Sequence, residues 1–305
     1  MNDRPLVGVI LVDPDREGEV FNLRSETGRG VALSAPATVY VGFLVAAPLV
    51  ILVAYSLWTQ TYVSIDRTVT LANYVEALHD PLVRHLMIRS ILIAGAVTIV
   101  TVALAYPIAY FIALRARRQT LWLLLITIPF WSSYLLRVFA WKLILGFNGV
   151  LNSALLGLGV IDTPLTFLLY NEFAVVLTLA HAWAPFAILP IYVSLQKIDP
   201  SLLEAARDLG SSTAERFWRV TLPLTIPGII AACLIIFIPT VGDYVTPSLV
   251  GGSDGKMIAN LIQVQFGAAN NWPLGATLSL LAMLAVGFVA VLFVLSATGL
   301  GRRIK

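Results

Sequence analysis

This chain of 305 residues is poor in charge and nearly free of sulfur chemistry: 12% is Asp, Glu, Lys or Arg, with three histidines and a single cysteine. A soluble protein carries roughly 25% charged residues, about twice as much. The lone Cys233 excludes an internal disulfide and a cysteine-rich metal site. A net charge of +3 gives no footprint for nucleic acid. A phosphate-binding loop is missing as well. Its nearest approach, Gly251-Gly252-Ser253-Asp254-Gly255-Lys256-Met257, has Val250 where the first glycine is needed and Met257 in place of Ser or Thr. An intramembrane aspartyl protease would need a glycine at Thr240 and a second membrane aspartate, and the chain has neither. Residues 1–35 lack the apolar run of a cleaved leader. They hold four arginines and six acids and read as a polar cytoplasmic tail.

What is abundant is apolar: 58% of the chain is hydrophobic. A spanning helix needs about 20 apolar residues. Six segments qualify, near 37–58, 89–114, 121–146, 173–196, 225–249 and 275–299. The expected fold is therefore an all-α integral membrane protein with six transmembrane helices over 36–305. The stretch 148–170 is also apolar, but Asn148-Gly149, Gly157, Gly159 and Asp162-Thr163-Pro164 interrupt it. It reads as an outer loop with re-entrant or short helical pieces, a seventh span being the alternative. Proline occurs in five of the six spans, as Pro48, Pro107, Pro129, Pro185 with Pro190, and Pro239. Each frees a backbone carbonyl that must find protein or water, which suits a polar-lined path.

Lys and Arg set the orientation. With the N-terminus inside, fourteen fall on inner segments, including Arg115, Arg117, Arg118, Lys197, Arg207, Arg216 and Arg219. Four fall outside, at Arg67, Arg84, Arg89 and Lys256. Both termini are thus expected in the cytoplasm, and the number of spans must be even. Arg137, Lys142 and His181 interrupt apolar runs, where a charge costs at least ~3 kcal/mol. Arg137, near Trp141, is expected to pair with Glu172 or Asp243. Lys142 can snorkel, and His181 reads as a packing histidine. Asp243, beside Tyr244 at the end of the fifth span, could hold an amine by charge and cation–π contact, or could serve as a cap.

Between the fourth and fifth spans lies a polar stretch. Asp199-Pro200 is a helix-start pair. Ser201-Leu202-Leu203-Glu204 and Ser212-Thr213-Ala214-Glu215 both read as capping boxes. Gly210 stands where a glycine ends a first short helix, and Leu222-Pro223 is expected to end a second. Leu202, Ala205, Ala206 and Leu209 share one face.

The offsets Glu204-Ala205-Ala206, Gly210, Val220 and Leu222-Pro223 resemble the EAA loop of binding-protein-dependent ABC importer permeases, with valine where isoleucine is usual. Further stretches look like the spermidine/putrescine branch: Gly242-Asp243-Tyr244-Val245, Leu249-Val250-Gly251-Gly252, Asn271-Trp272-Pro273-Leu274-Gly275-Ala276, Arg137 with Trp141, Gly149-Val150-Leu151-Asn152 and Leu189-Pro190. The resemblance covers about 37–300. It implies a multi-pass permease subunit of the bacterial inner membrane, with a second permease subunit, ABC ATPase subunits and a periplasmic solute-binding protein as partners. It places no cofactor on this chain; ATP and Mg would sit on the ATPase. The loop near 197–223 would couple the two, through Glu204, Ala205, Ala206, Asp208, Gly210, Leu222 and Pro223. Asp243, Tyr244, Arg137, Trp141 and His181 are candidates for the solute path. Importers of opines, amino-acid-like and other organic solutes share much of this pattern. An ATP-independent secondary transporter is the other class, and it has no use for a glycine-hinged loop at these offsets.

The orientation is checked by single-cysteine labelling in a Cys233→Ser background. Membrane-impermeant reagent added outside is expected to reach cysteines at Asp66, Gly159 and Ser253 but not at Arg117 or Ser211. Labelling at Ser211 from outside reverses the topology.

Overall fold

The computed structural model describes residues 26–62 and 64–303. Most of the polar segment read as a tail, residues 1–25, lies outside them. The described chain divides into two units at Leu52 and Val53. The first consists of one helix, α1 (Glu26–Ser56), whose final turn belongs to the second unit. It starts within the segment read as tail and carries Pro36 and Pro48.

The second unit opens with a small antiparallel hairpin, Thr59–Thr61 with Ser64–Asp66, that composition did not announce. Helices α2 (Ala72–His79) and α3 (Pro81–Leu114) follow. Asp80 caps α3, its carboxylate accepting from the Leu82 N–H at 2.7 Å, with Pro81 in the first turn where a missing N–H costs nothing. Next come α4 (Gln119–Thr127), a 3₁₀ turn at Ile128–Trp131, α5 (Tyr134–Leu145) and α6 (Val150–Gly157). The long α7 (Glu172–Gln196) precedes α8 (Pro200–Asp208) and α9 (Thr213–Arg216). The chain closes with α10 (Leu222–Val241), α11 (Val245–Val250), α12 (Ile258–Phe266) and α13 (Trp272–Arg303).

Six stretches are long and apolar enough to cross a bilayer: Leu33–Ser56, Pro81–Leu114, Tyr134–Gly157, Glu172–Gln196, Thr213–Val241 and Trp272–Ala297. The count matches the sequence reading, but the third differs in kind. Where an unbroken helix over 121–146 was expected, the backbone opens at Ser132 and Ser133, both extended. Pro129 cannot donate within the helix, and the last turn before the break tightens to 3₁₀. Ser132 turns back to donate to the Pro129 carbonyl at 2.6 Å. A second break, at Gly146–Gly149, separates α5 from α6. Here the fully buried Asn152 faces the Gly146, Phe147 and Leu165 carbonyls at 3.1–3.3 Å and accepts from the Leu165 N–H at 2.8 Å. Of the segment 148–170, expected as an outer loop with re-entrant or short helical pieces, Val150–Gly157 is α6 and instead closes the third apolar stretch; two turns are far short of a seventh crossing.

The core lies where α3, α7 and α10 pack together. Their buried faces pair small with branched residues: Val97, Ala105 and Ala109 on α3, Ala187 and Ile191 on α7, Ala232 and Ile236 on α10. Cys233, expected in the core, is only half-buried. In lipid the drive to associate comes from close packing and interhelical hydrogen bonds. Tyr106 and Thr225 supply one such bond, at 2.9 Å. Gly228 supplies the closest approach. A Cβ there would lie 2.6 Å from the Pro190 carbonyl oxygen and would overlap the Ser194 hydroxyl. By contrast, a Cβ on Gly95 of α3 would meet nothing within 4 Å.

Gly228→Val is therefore expected to force α7 and α10 apart at a cost of about 1–3 kcal/mol. Gly95→Ala should be neutral. Thermal unfolding in detergent, followed by loss of monodisperse protein, checks both; equal stability of the two variants would refute the close approach.

Candidate functional site

Two regions gather the singled-out residues. The first is the loop between α7 and α10. Asp199 caps α8, accepting from the Ser201 N–H at 2.9 Å. That hydrogen bond holds its carboxyl below the usual carboxylate range. Because Asp199 takes the cap, the box expected from Ser201 and Glu204 does not form, and Glu204 faces outward. The second box does form. The Ser212 N–H donates to Glu215 at 2.8 Å, and the Glu215 N–H returns to the Ser212 hydroxyl at 3.3 Å. Between the two helices, Gly210 adopts φ +81°, the left-handed region where a side chain is strained.

The expected end at Leu222-Pro223 is corrected. From α9 the chain passes through a π turn at Phe217–Thr221 directly into α10, so Pro223 begins a helix. In the widened turn the Leu222 N–H reaches back five residues to the Phe217 carbonyl, and Pro223 follows without breaking the helix. The helix also stops at Val241, short of the expected 249. On α8, Leu202 is 48% exposed, and Leu209 just beyond it 87%; Ala205 is exposed and Ala206 half-buried. An apolar stripe is thus presented outward, beside Glu204, while Asp208 closes the helix.

The second region forms where two helix breaks meet. Tyr134 is the first residue of α5, after the Ser132–Ser133 break, and Asp243 lies in the gap between α10 and α11. The Tyr134 hydroxyl donates to Asp243 Oδ2. That proton being committed, the Thr246 hydroxyl donates to the phenol oxygen. Asp243 Oδ1 accepts from the Val245 N–H at 2.8 Å and the Thr246 N–H at 3.3 Å. Asp243 is therefore a half-buried cap, one carboxylate oxygen on α11 and the other on Tyr134 of α5.

Arg137 stands one turn along α5 from Tyr134. Its guanidinium carbon lies 4.4 Å from the centre of the Phe130 ring. The pairing expected with Glu172 or Asp243 is not made. Glu172 pairs with Arg89 at 3.4 Å, the one ion pair among the described residues. The Arg137 Nε and Nη1 are buried without a hydrogen-bond partner. Trp141 donates its indole N–H to His181 Nδ1 at 3.1 Å, and the Phe130 ring lies 6.0 Å from the same imidazole. Phe130, Tyr134, Arg137, Trp141, His181 and Asp243 thus make one connected polar and aromatic cluster. Lys142, on the same helix, lies 6.0 Å from the Tyr170 ring.

Tyr244 is the exception. Its side chain is half-exposed and lines a different cavity, of about 790 Å³, with Ile258, Gln263, Phe266 and Met283. Its carbonyl accepts from Asn260, which also donates to the Ser248 hydroxyl at 2.8 Å and so ties α12 to α11. Sequence reasoning missed Tyr134, Phe130 and Thr246. The available signal was Tyr134 three residues before Arg137, one turn apart on the same face. The glycines that looked like a failed phosphate loop have a backbone role. Gly252 adopts φ +61°, and a Cβ there would sit 2.6 Å from the Tyr170 carbonyl oxygen.

Comparison with known proteins places this geometry. The family model described as binding-protein-dependent transport system inner membrane component matches residues 26–305. The chain is 37% identical over 270 residues to the spermidine/putrescine transport system permease protein PotB of Escherichia coli strain K12, covering 87% of this chain and 98% of that one. The PotB of Haemophilus influenzae strain Rd is 38% identical over 213 residues, covering 70% and 74%. Among solved structures, a bacterial alginate ABC transporter in complex with alginate pentasaccharide-bound periplasmic protein superimposes with a TM-score of 0.68 at 15% identity, covering 93% of this chain and 98% of that one, a likeness of fold. With six apolar spans and a match from Glu26 to the last residue, the chain belongs to the inner-membrane components of binding-protein-dependent transport systems, the permeases of ABC importers.

Proposed function

We propose that this permease carries a small polyamine such as spermidine or putrescine, delivered by a periplasmic binding protein and driven by ATP hydrolysis on separate ATPase subunits. The observation that carries the reading is 37% identity over 98% of a spermidine/putrescine permease. The site chemistry supports it. A polyamine presents ammonium groups spaced by methylenes, and the cluster offers a half-buried carboxylate bonded by Tyr134, together with the Phe130 and Trp141 rings that flank His181. Carboxylates hold ammonium groups by charge-assisted hydrogen bonds, and aromatic faces hold them by cation–π attraction.

In this reading both termini and the loop are cytoplasmic, and two permease subunits enclose the path. The exposed stripe of Leu202, Ala205 and Leu209, with Ala206 and Glu204 beside it, docks on the ATPase. The continuous helix from Thr213 to Val241 then joins that contact to the Asp243 cluster: its lower end follows the docked loop and its upper end leads to the carboxylate. A ligand shifts such a two-state element only by binding its two states unequally.

Asp243→Asn removes the charge and keeps the shape. Uptake of labelled spermidine is expected to fall about tenfold or more, since a hydrogen bond to a charged group is worth about 1.5–3 kcal/mol. Copurification of the ATPase should be unchanged. Normal uptake would leave Asp243 as a cap only.

For the loop, Gly210→Val and Ala206→Trp are expected to insert normally but to lose ATPase attachment or solute-stimulated hydrolysis. Gly210→Asn, which tolerates the left-handed region, should retain both. A Cβ at Gly210 meets nothing within 4 Å, so the difference reads backbone conformation alone. Full uptake in both disruptive variants would sink the coupling role.

A further inference from the structure

Beneath the loop lies a cavity that the transport path does not use. Its volume is about 440 Å³, and it is enclosed by the end of α3, the start of α8 and the α9–π-turn segment. Leu203, Ile198 and Phe217 form an apolar side, and Arg115, Arg216 and Thr213 a polar one. No lining residue is acidic. Two nearby acids are engaged locally, Asp199 with the Ser201 N–H and Glu215 with the Ser212 N–H, while Glu204 beside Leu203 faces solvent. Neither arginine makes an ion pair among the described residues. Arg216 Nη2 donates to the Thr213 hydroxyl at 3.1 Å, which fixes the guanidinium, while its Nε is buried with no hydrogen-bond partner. A guanidinium held at one end, with a buried and unbonded Nε, in a cavity also lined by the exposed Arg115 and by no acid, has the chemistry to take an anion.

The apolar side decides which anion. A free inorganic ion gains nothing from Leu203, Ile198 and Phe217, whereas an amphiphile does. The cavity also lies at the height where apolar helix gives way to charge: α3 ends at Leu114 and Arg115 follows, with Arg117 and Arg118 close behind. Basic pockets between spanning helices on the cytoplasmic side hold anionic lipid headgroups. We propose that this cavity binds the phosphate of an anionic phospholipid of the inner leaflet, with Arg115 and Arg216 on the phosphate and the apolar wall against the glycerol and upper acyl chain. The assignment to the inner leaflet rests on the proposed orientation. Bound there, the lipid braces α8 against α3 and tunes the loop to membrane composition.

The test uses the full-length chain with its copurifying subunits in detergent, read by native mass spectrometry. Phosphatidylglycerol is added in one arm and phosphatidylcholine with the same acyl chains in another. The wild type is expected to retain phosphatidylglycerol preferentially, and Arg115→Gln/Arg216→Gln to retain about tenfold less. Leu203→Trp fills the cavity without touching charge and should lose the lipid too. Arg84→Gln, remote from the cavity, should not. Equal retention of the two lipids, or unchanged phosphatidylglycerol in the double variant, overturns the proposal. So does full displacement by excess inorganic phosphate, which would make this a site for the free ion. Loss of the ATPase from the double variant with lipid retention unchanged would assign the arginines to a protein carboxylate and refute the lipid site. Lipid binding is read independently of sidedness, so a reversed topology would appear only in the Ser211 labelling.

Discussion

Lipid supplies no hydrogen-bond partner, so each place where this backbone leaves the helical ladder must be covered by the protein itself. Much of the structure follows from that constraint. The chain opens at Ser132–Ser133, at Gly146–Gly149 and at Gly242–Tyr244, and a polar side chain answers close to each opening. Ser132 bonds back to Pro129. Asn152 holds the second break, donating to the Phe147 carbonyl within it and accepting from the Leu165 N–H beyond α6. Asp243 caps the start of α11 and accepts from Tyr134 across the first break. The polar groups that make helix breaks tolerable are the same groups that make a polar site, which is why the carboxylate and the rings lie where they do.

A rigid frame is needed around such openings. The α3, α7 and α10 core supplies it through small residues that let backbones touch, Gly228 against Pro190 being the tightest contact. Threonines add buried hydroxyls that bond the preceding turn of their own helix, as Thr98, Thr101 and Thr240 do. The frame runs unbroken into the loop because a π turn takes up Pro223. One continuous helical element therefore runs between the loop and the Asp243 cluster.

Charge is used sparingly. Arg89 and Glu172 pair at one end of α3 and α7. Arg137 instead rests on an aromatic face and keeps two buried N–H atoms without a partner. Such an atom costs free energy unless another state or a ligand relieves it. Arg216, at the loop, shows the same signature. Gln60 Oε1, Thr178 Oγ1 and Trp183 Nε1 are also buried without a hydrogen-bond partner, and the two guanidiniums are the charged members of that set.

Sequence alone determined the number of apolar spans, though not the bounds of the third and fifth, and also the capped start of α8 at Asp199-Pro200, the glycine hinge at Gly210 and the loop's family pattern. Each rests on short-range physics, on apolar length, cap chemistry or the φ preference of one residue, and so is written in consecutive positions. The residues of the polar cluster were mostly named in advance, but not their partners. Arg137 was matched with Glu172 by charge, whereas geometry gives Glu172 to Arg89 and places Arg137 on Phe130. Tyr134 was passed over because a tyrosine at a helix start has no meaning until α11 packs against it from 109 residues away. The break at Ser132–Ser133 and the uninterrupted helix through Pro223 were likewise decided only by tertiary structure. A proline states which hydrogen bond is lost, and the surrounding fold decides whether the helix opens there or widens by one turn and continues.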